Sequence, residues 1–177
     1  MKPIVNDFSI QVATVNGSGS QTANTVLLRA IFQMGIPVSG KNLFPSNIAG
    51  LPTWFTIRAS KDGYIARRRE HDVTVIMNPE TAAADALAAA PGGMIVHTDQ
   101  IKLPQVADDR VVYAVPMGKL METITKDVKL RRLVVNMIYV GVLGQLLGID
   151  EAEIERALDG QLAIGRASCR ERVYVLV

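Results

Sequence analysis

The clearest chemistry in this sequence lies in a glycine-rich turn. The β-rich run FSIQVATV (8–15) leads into NGSGS (16–20), and a helical pattern, QTANTVLLRAIFQMG (21–35), follows. Backbone N–H groups of such a turn and of the first helical turn point outward and favour phosphate or another anion. The predicted ligand contacts in this turn are Gly17, Ser18, Gly19, Ser20 and Gln21. The alternative is a purely structural turn in which Ser20 only caps the helix.

A second group of polar residues follows in the chain. Ligands of open α/β sheets bind beyond the carboxyl ends of the strands, so polar side chains near the glycine turn could contact the same anion. The predicted contacts are Lys41, Asn42, Ser46 and Asn47 in the segment IPVSGKNLFPSNIAGLP (36–52), and Arg58 in the next strand. The alternative is that Asn and Ser form ordinary turns and that Lys41 is solvated.

The turn does not fit dinucleotide binding. The fingerprint G-x-G-x-x-G requires glycine at position 22, where this sequence has Thr22. It also requires an acidic residue about 20 positions further on, and no Asp or Glu lies between Asn16 and Arg58. The sequence therefore does not predict NAD binding.

No catalytic residue and no metal site are predicted. The two histidines are His71, which follows the basic run Arg67–Arg69, and His97, which we interpret as a structural residue within a strand. The field of the arginines disfavours protonation of His71. The single cysteine, Cys169, cannot form a Cys₄ zinc or iron–sulfur site alone. Asn136, within an apolar helix, needs a hydrogen-bond partner, so it is predicted to tie that helix to a loop.

The elements that position these residues alternate between strands and helices. After the first strand and helix, segment 36–52 shows no periodicity, and TWFTIRAS (53–60) is a strand that turns at Lys61–Gly63 into a returning strand, YIARRRE. Further strands are predicted at 72–78, 94–99 and 111–116, and further helices at 79–90, 117–125, 131–147 and 150–158. This order predicts an α/β fold: a three-layer sandwich with a mostly parallel, Rossmann-like central sheet and a hairpin.

The composition predicts one globular domain. The 177 residues are 49% hydrophobic and carry a formal net charge of +2, which argues against a dedicated nucleic-acid binder. The most apolar run, 133–147, is too short to span a membrane, and no targeting segment is recognisable, so a cytoplasmic protein is expected.

The carboxyl-terminal residues differ from the rest of the chain. We expect a domain over residues 1–163 and a non-native tail over 164–177, because residues 164–173 resemble the translation of sequencing-adapter read-through. The alternative is a genuine β-type tail that adds an edge strand to the sheet. The tail holds three arginines and one glutamate, so its charge of +2 accounts for the whole net charge.

Several of these segments together resemble a known family. They are VNGSGSQTANTVLLRAIFQMG, PSNIAGLPTWFTIRAS, HDVTVIMNP, VVYAVP and RRLVVNMIYVGVLGQLLGI. They look like the gamma domain of 2-oxoacid:ferredoxin oxidoreductases, closest to the 2-oxoglutarate type, in which this domain forms the amino-terminal part of a fused alpha subunit. The resemblance covers roughly residues 7–158. The turn differs from the Gly-Gly-Gln-Gly common in the family, because residues 19–22 read Gly-Ser-Gln-Thr.

The resemblance implies a role in a larger enzyme. Thiamine diphosphate would decarboxylate a 2-oxo acid, electrons would pass through iron–sulfur clusters to ferredoxin, and the acyl group would go to coenzyme A. Thiamine diphosphate, Mg and the clusters would lie in partner domains, namely the thiamine-binding alpha domain and a beta subunit, with no nucleic-acid or membrane partner. The chain is then part of a longer protein and inactive alone. A stand-alone nucleotide- or coenzyme-A-binding module and a structural assembly domain are the alternatives.

Overall fold

The computed structural model describes residues 5–45, 48–107, 109–125 and 128–162. Within them the strands are β1 (Asp7–Val15), β2 (Val38–Leu43), β3 (Pro52–Ser60), β4 (Val73–Ile76), β5 (Met94–Thr98) and β6 (Val111–Val115). The helices are α1 (Ser20–Gln33), α2 (Ala82–Ala88), α3 (Met117–Ile124), α4 (Val128–Leu147) and α5 (Glu151–Leu162). The chain divides into two compact units: Met1–Gly17 with Ile36–Pro116, and Ser18–Gly35 with Met117–Val177. The expected tail, 164–177, lies outside the described residues.

The first unit holds a single six-stranded sheet in the order β2-β3-β1-β4-β5-β6. The neighbours β1 and β4, β4 and β5, and β5 and β6 are parallel, whereas β3 runs antiparallel to both β1 and β2. A parallel pair needs a crossover connection. Helix α2 lies in the connection from β4 to β5, whereas the described residues between β5 and β6 are irregular. The predicted α/β fold with a mostly parallel, Rossmann-like sheet and a hairpin is confirmed.

Strand β1 lies inside the sheet and is paired on both sides. Ile10, Val12 and Ala13 are completely buried, and all four residues of β4 beside them are buried too. Strands that are covered on both faces have such near-continuous apolar runs. Because β1 cannot shift without breaking two ladders, the position of the chain at its carboxyl end is well determined.

The predicted hairpin is in a different place. Segment 36–52 was expected to lack regular structure, but it contains β2, whose Asn42 pairs with Phe55 of β3. The sequence VSGKNL does not alternate between apolar and polar residues because β2 is a partly exposed edge strand that depends on its ladder to β3. The predicted strand YIARRRE was wrong. That segment is irregular and exposed, and its Arg68 forms ion pairs with Asp7 and Asp72.

The second unit is helical, and two of its helices, α1 and α4, end at the predicted glycines, whereas α5 continues four residues beyond its predicted end, to Leu162. Helix α1 stops at Gln33, before Gly35 with φ of 79°, and α4 stops at Leu147, before Gly148 with φ of 63°. Both glycines adopt the left-handed conformation that terminates helices. Asp150 caps α5 by accepting a hydrogen bond from the Ala152 N–H at 3.0 Å. None of the described helices combines the length and hydropathy needed to cross a bilayer.

Both histidines are buried and hydrogen-bonded. His97 donates from Nδ1 to the Thr98 carbonyl at 2.8 Å, which confirms its interpretation as a structural residue. His71 Nδ1 lies 2.8 Å from the Ser9 hydroxyl, although the two residues are 62 positions apart. Ser9 is 1% exposed, so this pair connects β1 to the start of β4 and does not face a substrate. Burial, and secondarily the nearby Arg67, lower the pKa of His71.

The lowered pKa of His71 predicts a pH-dependent stability. The pKa of a histidine in the unfolded chain is 6.5. Below this pH, His71 binds a proton in the unfolded chain more readily than in the folded chain. The free energy of unfolding should therefore decrease as the pH falls from about 6.5 towards the folded-state pKa, by at most about 1.4 kcal/mol per pH unit. We expect His71→Asn, which cannot titrate, to reduce this slope in chemical denaturation between pH 8 and pH 5. Parallel profiles for the two proteins would contradict the assignment.

Candidate functional site

The candidate site is the turn that joins β1 to α1. Gly17 and Gly19 have φ of 84° and 82°, the left-handed conformation that glycine adopts without strain. Gly19 is the N-cap of α1, and Ser20 is its first helical residue. Ser20 is therefore not the N-cap, and a purely structural turn remains the alternative to ligand binding. The first turn of α1 also has no acidic residue, so its outward N–H groups have neither a capping side chain at the N-cap nor a carboxylate within the turn.

Helix α4 supports the helical side of this turn. Asn136 Nδ2 donates to the Ser18 carbonyl at 2.9 Å, which confirms the prediction that Asn136 ties its helix to a loop. One turn further along, the Tyr139 hydroxyl donates to Asn24 Oδ1 at 2.9 Å and lies 3.5 Å from the Ser20 carbonyl. Tyr139 is completely buried, and burial raises its pKa, so the hydroxyl remains a donor.

Asn16 supports the strand side of the turn. Its N–H donates to the Leu51 carbonyl at 2.8 Å, and its own carbonyl accepts from the Gly50 N–H at 3.0 Å. Its side chain donates to the Ile48 carbonyl at 3.1 Å. Residues 48–51 are therefore the part of the long connection that lies beside the end of β1. Sequence reasoning did not identify Asn16, although an amide directly before a Gly-Ser-Gly turn is a recognisable signal.

The other predicted site residues lie elsewhere. Lys41 and Asn42 are on the edge strand β2, two strands away from β1 and therefore about 10 Å from it within the sheet. Lys41 is exposed. The structure does not bring these two residues to the glycine turn, and Ser46 and Asn47 lie outside the described residues.

Arg58 is at the opposite end of β1. It pairs with Ser9, whereas the turn follows Val15, which places Arg58 about 20 Å from the turn along the strand. Its guanidinium is buried, donates to the Phe8 carbonyl at 3.1 Å and forms an ion pair with Asp7. The hydrogen bond from Arg58 lowers the pKa of Asp7, with smaller contributions from the charges of Arg58 and Arg68. The expected position beside the ligand was wrong because β3 runs antiparallel to β1.

A polar cluster that sequence reasoning missed follows the carboxyl end of β4. Three buried atoms there have no hydrogen-bond partner among the described residues: Asn78 Nδ2, Thr81 Oγ1 and Asp85 Oδ2. The other carboxylate oxygen of Asp85 accepts from Trp54 Nε1 at 2.8 Å and from Gln11 Nε2 at 3.4 Å. Asp85 is the only charged residue between Glu80 and Asp99, but its position in an alanine-rich helix does not by itself predict burial.

Metal chemistry has no visible site in this part of the chain. Over the described ranges, no three His, Cys, Asp or Glu side chains come together in a way that could hold a metal ion. The complete sequence has one cysteine, so the chain cannot supply the thiolates of a four-cysteine cluster. The donor groups at the turn are peptide N–H groups, which suit an anion and not a cation.

Comparison with known proteins identifies the family. The family model described as pyruvate ferredoxin/flavodoxin oxidoreductase matches residues 9–167. The chain belongs to this family. The predicted resemblance is thereby confirmed. No curated protein matches the chain by sequence.

Solved structures of oxidoreductases have the same fold. The 2-oxoglutarate:ferredoxin oxidoreductase from Magnetococcus marinus, with 2-oxoglutarate, coenzyme A and succinyl-CoA bound, superimposes with a TM-score of 0.75 at 20% identity. The match covers 97% of the present chain and 30% of the Magnetococcus protein chain. The present chain therefore spans less than a third of the length of that relative.

Two separate subunits match over almost their whole length. A keto/oxoacid ferredoxin oxidoreductase gamma subunit from Geobacter sulfurreducens gives a TM-score of 0.72 at 18% identity, with 96% of this chain and 93% of that chain covered. The pyruvate oxidoreductase subunit PORC from Thermotoga maritima gives a TM-score of 0.70 at 16% identity, with 96% of this chain and 94% of that subunit covered. These low identities establish the shared fold alone.

The contact between Trp54 and Asp85 predicts a coupled loss of stability. Trp54→Phe removes the donor to a buried carboxylate, so we expect the free energy of unfolding to decrease by about 2 kcal/mol. In an Asp85→Ala background the same substitution should cost clearly less, because no carboxylate is left without its donor. Urea denaturation of the four proteins measures the difference, and an equal cost of Trp54→Phe in both backgrounds would refute the coupling.

Proposed function

We propose that this chain is the gamma-type domain of a 2-oxoacid:ferredoxin oxidoreductase. The complex would decarboxylate 2-oxoglutarate or a similar 2-oxo acid oxidatively, form the acyl-CoA and reduce ferredoxin. The observation that carries the proposal is the family match over residues 9–167. The whole-length likeness to a gamma subunit supports it. The cytoplasmic location predicted from the sequence remains part of this proposal.

The reaction chemistry would belong to other domains. Thiamine diphosphate, when bound in the thiamine-binding alpha domain, supplies the carbanion chemistry of decarboxylation. The beta subunit and ferredoxin are the further partners that we expect. This chain's own contribution would be to bind and orient coenzyme A, and we assign it no catalytic acid, base or nucleophile.

The glycine turn is the part of the chain that we propose contacts coenzyme A. Coenzyme A carries phosphate groups, and a left-handed glycine turn at a helix N-terminus presents N–H groups to such anions. Gly19 and Gln21 supply the peptide N–H groups, and the Ser18 hydroxyl oxygen is buried without a partner among the described residues. The proposed contacts are therefore residues 17–21, because Lys41, Asn42 and Arg58 do not lie at the turn.

A structural assembly domain is the second candidate. The edge strand β6 exposes Val111, Val112 and Tyr113, which are 50%, 41% and 39% accessible. Side chains at successive positions of a strand point to opposite faces, so both faces of β6 are open. Exposed apolar residues on both faces of an edge strand suit an interface with another subunit. If this candidate is correct, the complex would require the chain for its assembly, and the glycine turn would bind no ligand.

Reconstitution tests the proposed function directly. The full chain is combined with the thiamine-binding part and the beta subunit, and the reduction of ferredoxin is measured with 2-oxoglutarate and coenzyme A. We expect reduction that requires the chain, both substrates and an assembled complex. Separate calorimetric titrations of coenzyme A and NAD into the full chain should give heat of binding only for coenzyme A. Tight NAD binding, or no activity in an assembled complex, would overturn the proposal.

A substitution in the turn separates the two candidates. In Gly19→Val a branched side chain stands at the N-cap, where it hinders the approach of a phosphate, so we expect the KM for coenzyme A to rise at least tenfold. Gly35→Val is the matched control, because Gly35 also has a positive φ, of 79°, but lies beyond the other end of α1. Both variants carry the same kind of backbone strain. An unchanged KM in an active Gly19→Val complex would assign the turn a purely structural role.

A further inference from the structure

Asn136 makes an unusual contact for a residue of an apolar helix. It lies in the run LVVNMIYVGV of α4 and is 2% exposed. Its side-chain amide donates a hydrogen bond of 2.9 Å to the Ser18 carbonyl, which is 118 positions away in the sequence. A buried amide costs desolvation free energy that a leucine at the same position would not. The hydrogen bond to the Ser18 carbonyl offsets this cost.

The contact determines which way one peptide group of the turn faces. The C=O and N–H of a trans peptide point in opposite directions within one plane. Because the Ser18 carbonyl is directed at α4, the N–H of Gly19 in the same peptide group is directed away from α4. Asn136 therefore orients the central N–H of the turn, in addition to satisfying its own amide.

Tyr139 supports the next part of the same segment. Its hydroxyl donates mainly to Asn24 Oδ1, and Asn24 is 1% exposed in the second turn of α1. The hydroxyl also lies 3.5 Å from the Ser20 carbonyl. Asn136 and Tyr139 are three positions apart and lie on the same face of α4, so one helix face holds both the turn and the helix that follows.

The side chain of Ser18 differs from its carbonyl in having no hydrogen-bond partner among the described residues. The Ser18 hydroxyl oxygen is buried and has no partner within the described ranges, although its own carbonyl is bound by Asn136. Buried hydroxyls are normally hydrogen-bonded. Of the polar groups of Ser18, it is therefore the carbonyl, held by Asn136, that fixes the orientation of the turn.

We propose that Asn136 is a positioning residue for the coenzyme A phosphate contact, with Tyr139 in a supporting role. This inference rests on the proposed function of the turn. Asn136 does not touch the ligand: it holds the Ser18–Gly19 peptide so that its N–H faces the phosphate before the ligand arrives. Preorganisation of this kind lowers the cost of ordering the turn on binding.

The test compares substrate affinities in the reconstituted complex. Asn136→Leu removes the donor, and Asn136→Asp keeps the shape but also lacks it. We expect the KM for coenzyme A to rise about tenfold in both, as the loss of one oriented hydrogen bond predicts, with the KM for the 2-oxo acid unchanged. Tyr139→Phe should give a smaller rise, because its main partner is Asn24. Ile138→Val, on another face of the same helix, controls for lost packing and should leave both constants unchanged.

A second measurement does not depend on activity. Coenzyme A is titrated into the isotope-labelled full chain, and its dissociation constant and the amide resonances are followed. The Gly19 resonance should shift on binding in the wild type, and the dissociation constant should rise about tenfold in Asn136→Asp. If Gly19→Val weakens coenzyme A binding and the Asn136 variants do not, the positioning role of Asn136 is wrong but the proposed role of the turn stands. An unchanged KM and dissociation constant in Gly19→Val as well would overturn the proposed role of the turn.

Discussion

The structure depends on the double pairing of β1. This strand is antiparallel to β3 on one side and parallel to β4 on the other, and its apolar residues are completely buried. A slip of one residue would turn every side chain of β1 to the wrong face and break both ladders. The carboxyl end of β1, and with it Asn16 and Gly17, therefore has one position. The hydrogen bonds of Asn16 then hold residues 48–51 beside that end.

The second constraint is that backbone carbonyls in the turn are bound from one side. Asn136 reaches the Ser18 carbonyl from α4, and the Tyr139 hydroxyl lies near the Ser20 carbonyl. Side chains that bind carbonyls leave the N–H groups of the same peptides on the opposite side. In the proposed function, these N–H groups would meet an anion, and residues 16–21 themselves hold no basic side chain. Peptide N–H groups would then supply the attraction for a charged ligand in a segment that has no net charge of its own.

Local signals in the sequence predicted much of this fold. The left-handed glycines at positions 35 and 148 ended their helices as expected, Asp150 capped α5, and the buried Asn136 found a loop partner. Strand β2 was missed because its ladder to β3, and not its own residue pattern, makes it a strand. Arg58 was placed wrongly because the direction of a neighbouring strand is a tertiary property. The partners of Asp85 come from β1 and β3, far away in the sequence, so its burial could not be inferred from α2 alone.

The glycine at the N-cap of α1 has a thermodynamic consequence. The amides at this end of the helix have no capping side chain at Gly19 and no acidic residue in the first turn, so this end should fray more readily than a capped helix. An anion at Gly19 would take the place of the missing cap, and its binding would be linked to the folding of α1. Ligand at 100 times its dissociation constant would then stabilise the native chain by about 2.7 kcal/mol. Hydrogen exchange at the start of α1 would slow as the ligand concentration rises, so the helix would report occupancy of the turn.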